Sequence, residues 1–268
     1  MVKLGLIGGG VMGEALLSRF LVQHFYTPTE ILVSDPQPQR RDFLARTYEV
    51  TTTEDNRQIL EASEVILLAI KPQIFQVIAA ELAEQVKQPS SATVVSILAG
   101  VTLNQLETAF PQWSVVRVMP NTPATVGAGI SAIAPGRQIH PDQLARAKQI
   151  LAAVGDVVEV PESLMDAVTG LSGSGPGYVA VFIEALTDGG VAAGLPRSVA
   201  AKLALQTVRG TAELLRQTEL HPAELKDRVT SPGGTTIAGI AQLEQAGFRS
   251  AVIEAVKAAH RRSKELGQ

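Results

Sequence analysis

The sequence predicts an α/β fold in which a mainly parallel sheet domain over 1–161 precedes an all-α domain over 162–268. Three observations predict it. Short β-branched runs alternate with amphipathic stretches up to residue 160, the pattern of a sheet covered by helices on both faces. After Pro161 the strand signal stops and only helical periodicity remains. A glycine-rich turn, Gly8-Gly9-Gly10-Val11-Met12-Gly13, directly follows the first strand-like run.

Taken in order, strands are expected at 4–7, 31–34, 65–70, 94–98 and 115–119. Helices at 13–24, 38–47, 73–87 and 102–110 lie between them. A weaker strand pair, 130–134 and 157–160, flanks a helix over 141–153 and closes the first domain. The second domain reads as helices over 165–193, 198–217, 222–229, 236–246 and 249–266, with Gly194, Pro196 and Gly247 at helix ends. Residues 178–186 (YVAVFIEAL) are apolar nearly all round, more than one buried stripe requires. Such a helix in a small all-α domain is expected to be sandwiched between subunits, with a central core helix as the alternative.

Bulk composition narrows the classes. With 268 residues and 46% apolar side chains the chain has room for two ordinary domains. A formal charge of −3 offers no basic surface for nucleic acid or an anionic membrane. The absence of cysteine excludes a disulfide framework, thiolate zinc sites and cysteine nucleophiles. The apolar opening breaks at three glycines and is followed by Glu14 and Arg19, which is wrong for a secretory segment. No apolar run approaches the roughly 20 residues a bilayer requires, so a cytoplasmic protein is expected.

Two loops carry the chemistry. The first fits G-x-G-x-x-G between a strand and a helix: Gly8 permits the tight turn, Gly10 lets the backbone approach a pyrophosphate, and Gly13 allows close helix–strand packing. This is a Rossmann-like dinucleotide turn. At the end of the second strand Asp35 stands where an acid holds the ribose hydroxyls of NAD, whereas Ser34 with Arg40 or Arg41 suits the 2′-phosphate of NADP. The balance leans to NADPH, and Asp35 leaves NADH open. Lys71-Pro72 follows the 65–70 strand at the ligand-binding edge of the sheet, where an ordinary charged helix start is the alternative. Asn56 either caps a helix or contacts the adenine side.

The second loop, Thr230-Ser231-Pro232-Gly233-Gly234-Thr235-Thr236, interrupts helical sequence and leads straight into another helix. It points backbone N–H groups and hydroxyls at one spot, at the positive end of a helix dipole, and so suits a small carboxylate. The four histidines have no metal-ligand spacing: His140 and His221 precede prolines at helix starts, His24 ends a helix, and His260 sits among charges. No metal site is expected. Tyr178 reads as a packing residue.

Five segments together resemble pyrroline-5-carboxylate reductases: 65–73 (VILLAIKPQ), 96–101 (SILAGV), 117–124 (RVMPNTPA), 169–178 (TGLSGSGPGY) and 225–240 (LKDRVTSPGGTTIAGI). The resemblance implies a Rossmann domain followed by a helical dimerisation domain, a homodimer that often builds decamers, and a substrate site at the helical interface. It implies that Gly8, Gly10, Val11, Met12 and Gly13 form the pyrophosphate turn, that Ser34 and Asn56 meet the adenosine portion, and that Ala69, Ile70, Lys71 and Pro72 line the cofactor further along. It implies substrate contacts from Ser231, Gly234, Thr235 and Thr236, with Glu162 a further one. The family often carries Asn-Arg or a similar pair where this chain has Asp35-Pro36, which bears on the NADP preference.

The implied substrate, 1-pyrroline-5-carboxylate, is a cyclic imine bearing one carboxylate. Its protonated form is already electrophilic, so the main tasks are proximity and orientation. In this reading the N–H groups near Gly234 and Thr235 hold the carboxylate and Thr236 is the catalytic hydroxyl at the ring nitrogen; the alternative is a helix-start hydroxyl bonded to its own backbone. A β-hydroxyacid dehydrogenase, the nearest rival, generally has a lysine shortly after a glycine-rich stretch opening its helical domain, and residues 172–182 contain none. Alcohol oxidation requires a base that imine reduction does not.

Overall fold

The computed structural model describes residues 1–267. Packing divides the chain into two compact units: Met1–Ser174 together with the segment from Ala258 onward, and Gly175–Lys257. Composition changes at Pro161, where the last strand has ended, while packing changes at Ser174. The residues between belong with the sheet because Met165 is buried in its apolar layer.

The first unit is built on one sheet of eight strands among the described residues: β1 (Leu4–Ile7), β2 (Ile31–Ser34), β3 (Thr51–Thr53), β4 (Val65–Leu68), β5 (Thr93–Ser96), β6 (Ser114–Met119), β7 (Gly129–Pro135) and β8 (Gly155–Glu159). Their order is β3-β2-β1-β4-β5-β6-β7-β8, with every neighbouring pair parallel except β6–β7. The first six strands follow the doubly wound order, which reverses at β1 and opens a crevice between β1 and β4.

Strand periodicity sorts the side chains into two layers. Leu4, Leu6, Val65, Leu67, Val95 and Val116 face one layer, packed by Leu16, Leu17 and Phe20 of α1 (Val11–Val22), Leu44 of α2 (Pro38–Tyr48) and Ile150 of α5 (Pro141–Leu151). Ile7, Ile66, Leu68, Val94 and Val115 face the other, against Phe75 and Leu82 of α3 (Phe75–Leu82) and Leu106 of α4 (Leu103–Ala109). A sheet buried on both faces explains why its strands read as continuous apolar runs.

The differences from expectation are local. Strand β3 is three threonines, none of them buried, pairing at the sheet edge, and it carries no apolar signal. The helix expected over 73–87 is α3 alone, flanked by 3-10 turns at Pro72–Ile74 and Gln85–Lys87. The single helix expected over 165–193 is instead α6 (Met165–Val168), a π turn at Thr169–Gly173, and α7 (Gly175–Ala192). Pro176, which has no N–H to donate, is thereby placed in the first turn of α7, where none is needed.

The second unit contains α7, α8 (Arg197–Thr218), α9 (Pro222–Arg228) and α10 (Thr235–Gln245), and α11 (Phe248–Leu266) runs through its boundary. Helices α7 and α8 meet through small residues: a Cβ at Gly190 would lie 3.0 Å from Ala200 Cβ. The only buried residues of this unit are Thr187, Ala200 and Ala204, while Val181 is 66% exposed and Leu205 58%. Among the described residues no helix is long and apolar enough to cross a membrane.

Candidate cofactor and substrate sites

The glycine turn sits where the sheet order reverses. Gly8 has φ +100°, and a Cβ there would meet the Ala69 carbonyl oxygen at 2.7 Å, so β1 and the end of β4 approach as only glycine allows. A Cβ on Gly13 would lie 2.2 Å from the Gly8 carbonyl oxygen. Gly10 differs: it is exposed, and nothing lies within 4 Å of its Cβ position. It is also the N-cap of α1 and supplies no capping side chain, so the first-turn N–H groups are open to an anion. Val11 is 80% exposed and Met12 half-buried beside it. This cradle fits a pyrophosphate.

At the end of β2, Ser34 is buried and donates its hydroxyl hydrogen to Asn56 Oδ1 at 2.7 Å; Asn56 Nδ2 in turn donates to Glu81 at 2.9 Å. Asp35 accepts from the Gly9 and Gln37 backbone N–H groups at 3.0 and 2.9 Å. Arg40 pairs with Glu14 and donates to the Gly9 carbonyl, and Arg41 donates to the Asp35 and Pro36 carbonyls and to Glu54. Partial burial disfavours the Glu14 charge, but the bonds from Arg40 and Tyr48 outweigh it and lower the pKa. Burial and the Glu14 carboxylate push the Tyr48 hydroxyl up to about 12.

Ala69 and Ile70 are half-buried next to Gly8, Lys71 is exposed, and Pro72 opens the 3-10 turn after β4. Pro72 also borders a cavity of about 550 Å³, lined by Phe75, Gly100, Thr169, Ser174 and Arg262 among others. Sequence reasoning missed this cavity, whose walls come from segments far apart in the chain. The available signal was the glycine- and serine-rich run at 169–178, whose first half becomes the π turn and whose second half opens α7. Glu162 points elsewhere: its Oε1 accepts from the Leu103 N–H and from Arg117 Nη1, at 3.0 Å for the arginine, whose side chain is 8% exposed.

In the second unit, Thr230 to Gly234 turn the chain from α9 into α10. Gly233 has φ +68°, and the Gly234 N–H donates to the Ser231 carbonyl at 3.0 Å. A Cβ on Gly234 would lie 2.3 Å from Ser231 Oγ, so glycine is required for that hydroxyl to sit at the helix start. Gly234 is the N-cap and offers no side-chain bond. Ser231, Thr235 and Thr236 are exposed, and neither threonine hydroxyl has a hydrogen-bond partner among the described residues. Thr236 is thus not bonded to its own backbone. Tyr178 donates to the Ala255 carbonyl at 3.4 Å, and His140 and His221 are helix N-caps. No cluster of metal-binding side chains occurs among the described residues.

A dinucleotide cradle at the switch point of a doubly wound sheet, followed by a helical unit with its aliphatic side chains outside, defines a nicotinamide-dependent oxidoreductase with a dimerisation domain. The comparisons agree. Residues 3–100 match the family described as NADP oxidoreductase coenzyme F420-dependent, and residues 162–266 match pyrroline-5-carboxylate reductase dimerisation. The chain is 60% identical to the pyrroline-5-carboxylate reductase of Synechocystis sp. over 100% of its own length and 99% of that protein's. It is similar to the solved structure of the Coxiella burnetii enzyme (TM-score 0.92, 36% identity, 100% and 99% coverage). It is also similar to the Plasmodium falciparum pyrroline carboxylate reductase structure with NADP bound (TM-score 0.89, 30% identity, 100% and 98% coverage). The chain belongs to the pyrroline-5-carboxylate reductase family.

Proposed function

We propose that the chain reduces 1-pyrroline-5-carboxylate to L-proline, the last step of proline biosynthesis, with NADPH as the reductant. The observation that carries the reading is the uncapped, exposed start of α10 with its two unpartnered threonine hydroxyls, in a chain that also has an uncapped dinucleotide turn. When bound, the dinucleotide supplies the hydride that adds to the imine carbon. Gly10 and the first turn of α1 hold the pyrophosphate, Ser34 and Asn56 meet the adenosine end, and Ala69 to Pro72 line the path beyond. The N–H groups at Gly234 and Thr235 hold the substrate carboxylate beside Ser231, and Thr236 places its hydroxyl at the ring nitrogen, where the proton is delivered. Orientation of this kind is worth about 7–11 kcal/mol in favourable cases. The working assembly is a homodimer that builds a decamer.

The test follows loss of reduced-nicotinamide absorbance with racemic pyrroline-5-carboxylate, beside a six-membered cyclic imine and a 2-keto acid. Turnover confined to the five-membered imine, faster with NADPH than NADH, is expected. No turnover on it despite NADPH binding refutes the proposal.

A further inference from the structure

An acid at the end of the second strand usually reads the ribose hydroxyls of NAD, and nearby arginines read the 2′-phosphate of NADP. Here both kinds of residue are engaged on Gly9, through the two peptides that flank it in the glycine turn. Asp35 Oδ2 accepts from the Gly9 N–H at 3.0 Å, and its other oxygen accepts from Gln37 N at 2.9 Å. Arg40 Nε donates to the Gly9 carbonyl, and its far end pairs with Glu14, which Tyr48 also bonds at 2.8 Å. The Arg40 guanidinium lies 5.0 Å from the Phe43 ring centre. Asp35 is 9% exposed, and a Cβ at Gly9 would strike Leu44 Cδ1 at 2.5 Å, so Gly9 is walled in behind as well.

We infer that Asp35 and Arg40 are positioning residues that clamp Gly9 through the two peptides flanking it, and that neither selects between NADH and NADPH. The clamp fixes the middle of the turn whose next residue, Gly10, opens the anion cradle. Each bond has one ionised partner, a carboxylate or a guanidinium, and is therefore charge-assisted and stronger than a neutral one. The inference rests on the dinucleotide reading of that turn. It explains why an acid at this position is compatible with an NADPH enzyme: its carboxylate is turned inward to the protein's own amides.

Asp35→Asn and Arg40→Met test it through KM and kcat for both cofactors. The expected result is a KM raised about tenfold for NADH and NADPH alike in each variant, with kcat at saturation retained. The NADPH-to-NADH ratio of kcat/KM stays within about threefold of the parent. A clamp that merely stabilised the fold would lower Tm and leave KM alone, which overturns the inference. So does an NADH-selective loss in Asp35→Asn, or an NADPH-selective loss in Arg40→Met. Amide hydrogen exchange of the unaltered protein gives an independent reading that survives misfolding of either variant: the Gly9 N–H is expected to be protected without cofactor, and rapid exchange there overturns the clamp. A parent that binds neither dinucleotide would refute the dinucleotide reading, while Gly9 protection would still report the clamp itself.

Discussion

Gly10 and Gly13 belong to one motif, yet alanine should act on them in opposite ways. At Gly10 the φ of −66° and ψ of −173° are open to any residue, and nothing lies within 4 Å of the new methyl. Losing a favoured N-cap residue costs about 0.5–2 kcal/mol, and the less flexible unfolded chain returns about 0.4–1 kcal/mol. Stability should therefore move little. In the proposed cradle the methyl instead fills the space a pyrophosphate would enter, holding it off the first-turn N–H groups. Each charge-assisted bond lost is worth about 1.5–3 kcal/mol, roughly 10- to 150-fold in KM for NADPH. At Gly13 the methyl would lie 2.2 Å from the Gly8 carbonyl oxygen, a backbone atom that cannot swing aside. Overpacking of that kind costs about 1–3 kcal/mol and lowers Tm by several degrees. The assay is cofactor KM together with Tm for both variants. A Gly10→Ala enzyme with KM within about twofold of the parent, or with a Tm loss matching Gly13→Ala, would refute the reasoning.

Thr236→Ala should lower kcat/KM for the imine by about 10- to 150-fold, the worth of a hydrogen bond to a charged group, with Tm unchanged because the hydroxyl bonds nothing in the folded chain; kinetics beside a thermal melt check it. Glu162→Gln should cost about 1–3 kcal/mol of stability, read as a lower Tm, since it weakens the partner of the buried Arg117; an intact Tm with raised substrate KM would place Glu162 on the substrate instead. Glu14 has its pKa lowered below 4.5, so its stabilisation is complete above that value and is lost as pH falls through the folded pKa. Glu14→Gln should therefore flatten the acid limb of a stability-versus-pH curve, and an unchanged limb would refute the pairing. Val181→Asp, at a position 66% exposed on α7, should reduce the mass seen in light scattering towards the 28.3 kDa single chain.

What could be read from the sequence follows from where periodicity carries information. Strands β1, β2, β4, β5 and β6 are buried on both faces, so each is dominated by consecutive apolar residues, with Arg117 in β6 the one charge among them. Strand β3 escaped notice because an edge strand of three threonines has no buried side chain to mark it. The break between α6 and α7 was hidden because glycine, serine and threonine in a helical context do not announce a π turn; only Pro176 hinted at it. Both loops were legible because glycines at fixed spacing have few other uses. The partners of Asp35, Arg40 and Glu162 were not, since they depend on contacts from Gly9 to Asp35 and from Leu103 to Glu162 that no local pattern encodes.

The two units differ in how they can be stable. The first carries both apolar layers, with large side chains such as Phe20 and Phe110 fully buried. The second buries one threonine and two alanines, and exposes Val181, Leu203, Leu205 and Ile253 at 66%, 54%, 58% and 53%. Each such aliphatic side chain is worth about 1.5–3 kcal/mol once covered, whereas ordering each residue costs about 1–2 kcal/mol for the backbone alone. Helices packed through alanine and glycine meet little of that cost by themselves, and a second copy covering these side chains, as the match to a dimerisation domain implies, would supply the rest. The Ser231–Thr236 loop lies in this unit. Loss of assembly should therefore remove the proposed carboxylate site together with the helices that shape it, which would make dimerisation a condition for that site to form, and separates Val181→Asp, where activity and helical structure fall together, from Thr236→Ala, where activity falls alone.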